Sequence, residues 1–147
     1  MNVRAKYIGL QTWGKKNAYT MNVFGDYACF FLSLCSIADE YNESYHNNYR
    51  VDILCALKMA LDNDWIDKEY TVKNPTAILE YLTGAKWSKE TVTTLPSYIP
   101  DNTYTIAVYY NPKTNFTHFR RRWGDTLIDS KTVKEGKIKE YRIFIHK

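Results

Sequence analysis

Three side chains spread along the chain have the types needed to activate a thiol: Cys29, His118 and Asp129. A cysteine attacks a carbonyl as its thiolate, and it needs a base within hydrogen-bond reach, a group that orients the base, and donors for the oxyanion. Cys29 follows the polar turn Gly25-Asp26 and opens a segment that is apolar on nearly every side through Ala38. Such a segment reads as a helix buried in the middle of a domain. Asp26 suits the N-cap, because its carboxylate can accept the first orphan backbone N–H groups, and this puts Cys29 at about the third helical position. The positive end of the helix favours a thiolate there.

His118 begins a stretch with the alternation of a strand, and Asp129 lies one hairpin later. A two-residue turn at Gly124-Asp125 pairs Trp123 with Thr126, Arg120 with Asp129 and His118 with Lys131. His118, Arg120 and Asp129 then share one face, and Asp129 either fixes the tautomer of His118 or pairs with Arg120. Arg121 lies opposite, with Phe119 and Trp123.

The elements that must position these groups fall into two halves. The buried helix runs from about Tyr27 to Tyr41. Val51, Leu54, Cys55, Leu57, Leu61 and Trp65 recur at helical spacing and predict a second, amphipathic helix. Residues 68–72 resemble a brief strand. Asn74-Pro75 is a cap followed by proline at the first helical position, and a third helix, with Ile78, Leu79 and Leu82 inward, stops at Gly84. Beyond Trp87 the period changes to two, and residues 91–95, 103–110, 117–123, 126–130 and 137–146 read as strands. Residues 3–10 read as a short strand or arm, and 11–26 as a polar loop. Helices first and antiparallel sheet second predict an α+β domain spanning all 147 residues.

Composition narrows the class without naming a reaction. Hydrophobic content of 45% suits a globular chain, and 13 tyrosines favour sheet. The net charge of +4 comes from 20 basic and 16 acidic residues that interleave, so a nucleic-acid partner is permitted but not expected, and Arg120-Arg121-Arg122 reads as ion pairing or strand solubility. No stretch is long enough for a signal or a membrane span, so a cytoplasmic, non-membrane protein is expected. The cysteines Cys29, Cys35 and Cys55 fit reduced thiols, the last two as core residues. The histidines His46, His118 and His146 lie far apart in sequence, and no zinc-type spacing occurs, so neither metal nor cofactor is expected. His46 and His146 are expected to be solvent-exposed.

A cysteine at the start of a buried helix, Ser33 four positions on, Thr117-His118-Phe119 in a later strand and Leu127-Ile128-Asp129-Ser130 in the next resemble the papain-like cysteine peptidases. The pattern is nearest to the bacteriocin-processing, double-glycine type and its peptidase-like relatives. That resemblance implies a papain-like fold in which Cys29 attacks a peptide or isopeptide bond, His118 moves the proton and Asp129 orients His118. It also implies that Gln11, in Ile8-Gly9-Leu10-Gln11-Thr12, matches the family's oxyanion glutamine; Asn22 is the alternative donor. This chain carries Phe30 where the family usually has glycine after the cysteine. The competing expectation is a catalytically inactive papain-like binding or inhibitor protein of bacterial or phage origin, suggested by small size and by the abundance of Lys, Asn and Tyr.

Overall fold

The computed structural model describes residues 28–94, 103–121 and 137–147. Helix α1, Cys29–Ser44, buries Phe30 through Cys35 without interruption, then Ile37, Ala38 and Asn42, as a central helix should. Its first residue is Cys29, with Ala28 in the N-cap place and no side-chain cap bond from that residue. Cys29 therefore stands at the first helical position and not the third; Asp26 and the sequence before it lie outside the described residues. The Ser33 hydroxyl donates back to the Cys29 carbonyl at 2.8 Å, which satisfies a fully buried polar group inside the helix.

Helix α2, Ile53–Asp62, starts where the Asp52 carboxylate accepts the Cys55 N–H at 3.1 Å. The cap sets the phase, so Ile53, Ala56, Leu57 and Ala60 form the buried stripe at spacings of three and four. Leu54 and Cys55, expected inside, are exposed. Helix α3, Pro75–Thr83, follows the expected grammar: Asn74 accepts the Ala77 N–H, proline takes the first position, and Ile78, Leu79 and Leu82 face inward. Gly84 ends it in the left-handed region at φ 67°, its N–H donating to the Glu80 carbonyl. Helix α3 packs on α1, and α2 on α3.

Residues 68–72 form a turn and not a strand, with Ile66 and Val72 joined by a single bridge. The Asp67 carboxylate takes the N–H groups of Glu69 and Thr71, donors that a strand would have spent on a ladder.

The strands β1 (Thr91–Thr93), β2 (Thr103–Asn111), β3 (Phe116–Arg121) and β4 (Lys137–Ile145) form an antiparallel sheet in the order β1-β4-β2-β3. The expected strands at 3–10 and 126–130 lie outside the described residues. Tyr104 through Val108 of central β2 are buried without alternation, so both faces of the sheet are covered there. Tyr104, Ile106 and Phe144 join the helices in one core. The described part of the protein is thus α+β, with α1 laid on one sheet face. No described helix is long and apolar enough to cross a membrane.

Helix α1 runs along β3 and β4 in their own direction, since Phe30 meets Phe119 and Arg142, Glu40 meets Arg121, and Tyr41 and Tyr45 meet His146. His146, expected to be solvent-exposed, is only half-exposed. Its ring sits among Tyr41, Tyr45, Trp87 and Tyr104, and its Nε2 is 3.0 Å from the Tyr45 hydroxyl. Backbone bonds from Ser88 to Ile145 and from Lys147 to Lys86 pin it there.

Two outcomes follow from these contacts. The Tyr49 ring occupies the space that a Cβ on Gly84 would need, and the left-handed backbone there disfavours any L side chain. Gly84→Ala should lower the free energy of unfolding by at least about 1 kcal/mol in a urea titration. Burial pushes the His146 imidazole below its usual value, so the unfolded chain takes up the proton first on acidification. Stability from this group is complete above about pH 6.5 and is lost as pH falls from there through the lower folded-state value. Melting temperature should accordingly drop more steeply between about pH 7 and about pH 5 for the native chain than for His146→Gln.

Candidate functional site

The start of α1 opens onto a cavity of about 400 Å3 between that helix, the turn at 69–72 and β3. Half-buried Cys29 lies in its wall with Phe30, Tyr70, Thr117, Phe119 and Arg142. The Phe30 and Phe119 rings meet with centroids 4.5 Å apart, tilted by 32°. Above both lies the Arg142 guanidinium, 5.8 Å from the Phe30 centroid and 5.6 Å from that of Phe119. Arg142 is held by Glu90 at 3.1 Å and Glu140 at 3.0 Å. Its charge is matched by two carboxylates, so this wall offers an apolar, cation-capped surface and not a free anion site.

None of the three cysteines is in a disulfide. Cys35 is fully buried, and desolvation, with a smaller push from Asp39, holds its thiol protonated well above the ordinary range. It cannot act as a nucleophile near neutral pH. Cys55 is exposed at the start of α2, contrary to its expected place in the core.

The register of β3 decides where His118 stands. Val108 pairs with Phe119, Tyr109 with His118, and Ile106 with Arg121. Phe119 packs against Phe30, and Arg121 donates to Ser36 Oγ at 3.1 Å and Glu40 Oε2 at 2.6 Å, both on α1. The odd positions of β3 therefore face α1, and alternation sends His118 to the opposite face, where it is buried. The sheet lies between His118 and the Cys29 cavity. His146 and His46 offer no substitute: they lie at the other end of α1, about 18 Å or more along the helix from Cys29. Asp129, Gln11, Asn22 and the expected Gly124-Asp125 hairpin lie outside the described residues, as does any contact between Asp129 and Arg120.

The wall formed by Thr117, Phe119 and Arg142 was not anticipated, although its signal was present. Phe119 is the apolar residue between His118 and Arg120, and an apolar side chain in a strand of alternating character goes to the core. Its burial against α1 requires His118 to leave that face. Arg121 was expected opposite His118, beside Phe119, and the structure has it there, nine-tenths buried, over the Tyr104 ring at 5.9 Å. Burial, and then the Glu40 carboxylate, push the Tyr104 hydroxyl up to about 12, so it stays neutral beneath the Arg121–Glu40 pair.

Among the described residues, no three His, Cys, Asp or Glu side chains gather as a metal site. What the cavity can do is receive an apolar or amphipathic group against two phenyl rings beside a thiol. Because the sheet separates the imidazole from the thiol, His118→Gln should leave the rate of Cys29 alkylation by iodoacetamide within about twofold of the native chain, read by mass spectrometry of the labelled peptide. Compared with known protein families, with curated proteins and with solved structures, the chain finds no match in any of the three.

Proposed function

We propose that this chain is a protein-binding domain and not a working thiol hydrolase, with the Cys29 cavity as its surface for a peptide or protein segment. The observation that carries this reading is the β3 register, which separates His118 from Cys29 by the thickness of the sheet. A thiol on the other side of the sheet from that imidazole cannot use His118 as the general base of a Cys-His mechanism. Phe30 adds support, since the position where papain-like peptidases keep glycine holds a ring packed against Phe119 beside the thiol. The proposed scaffold is papain-like in its order, a cysteine-led buried helix followed by an antiparallel sheet, with an inhibitory or sequestering role in place of cleavage.

The hydrolase reading keeps one observation in its favour: Cys29 occupies the first position of a 16-residue helix at the rim of a cavity. Iodoacetamide at limiting dose near neutral pH separates the two. Binding without catalysis predicts that exposed Cys55 is labelled first, half-buried Cys29 later and Cys35 last. Labelling of Cys29 ahead of Cys55 would restore the nucleophile, and a Cys29→Ala chain that loses a hydrolytic activity present in the native chain would do the same.

A further inference from the structure

We draw no further inference here: the strongest candidate, the cavity at the carbonyl end of α1 lined by Glu43, Tyr49 and Arg50, has walls that carry both signs of charge, and nothing in the structure shows what covers it.

Discussion

The contact on which the rest of the described structure depends is Phe119 against Phe30, with Arg142 lying over both rings. A strand offers side chains to each face in turn, so burying Phe119 on α1 settles the fate of its neighbours. Thr117 and Arg121 must follow it and His118 must not. Aromatic pairs add about 0.5–1.5 kcal/mol beyond their buried area, and a one-residue slip of β3 would forfeit the pair. The slip would also withdraw Arg121 from Ser36 and Glu40. Removing Arg121 from a buried position would leave Tyr104 and the middle of α1 with an unfilled polar gap, although half-exposed Glu40 would regain water and soften the loss.

The same helix is tied at its far end by groups that are polar but fully engaged. The Asn42 amide donates to the Leu82 carbonyl, and Asn47 donates to both Asn42 and the Thr83 carbonyl, so the end of α1 is bonded to the end of α3. The Thr83 hydroxyl donates to the Leu79 carbonyl and accepts from the Trp87 indole, which brings the helical layer to the ring cluster around His146. Buried polar groups cost little when every partner is present and much when one is missing. These bonds, more than apolar burial, specify which helix end meets which, because leucine stripes tolerate sliding and an amide does not.

Much of this was legible in the sequence wherever one residue carries a unique backbone consequence. Asn74, Pro75 and Gly84 bound α3, as a side-chain acceptor, a fixed φ and a left-handed terminus require. The described strands were legible by their β-branched and aromatic residues, and outside β2 by alternation, to within about two residues at their described ends. The phase of α2 was not, because Ala56 and Ala60 carry weak apolar signals while Leu54 carries a strong one, and the Asp52 cap outweighed that difference. The turn at 67–71 was hidden because its cause is a single carboxylate drawing off two backbone donors. At the candidate site, type and order are not sufficient. Cysteine, histidine and aspartate occur in a catalytic order, but whether two of them meet depends on which face of β3 the helix covers, and Phe119 carries that information.

A helix buried along most of its length can meet a partner only at its two ends, and α1 presents opposite chemistries there. The N–H end opens between phenyl rings under an arginine already matched by two carboxylates, so it favours contact through shape and apolar area. The carbonyl end opens onto a cavity lined by Asp39, Glu43 and Arg50, so its walls are polar and carry both signs of charge. Between them the stretch from Phe30 to Ala38 is buried except for Ser36, which is half-buried. A partner that engaged either end would meet a surface held by the whole core, and little of its binding free energy would be lost to ordering this face. For Cys29 to use His118 as its base, the imidazole would have to stand on the side of the sheet that α1 covers, and β3 gives that side to Phe119.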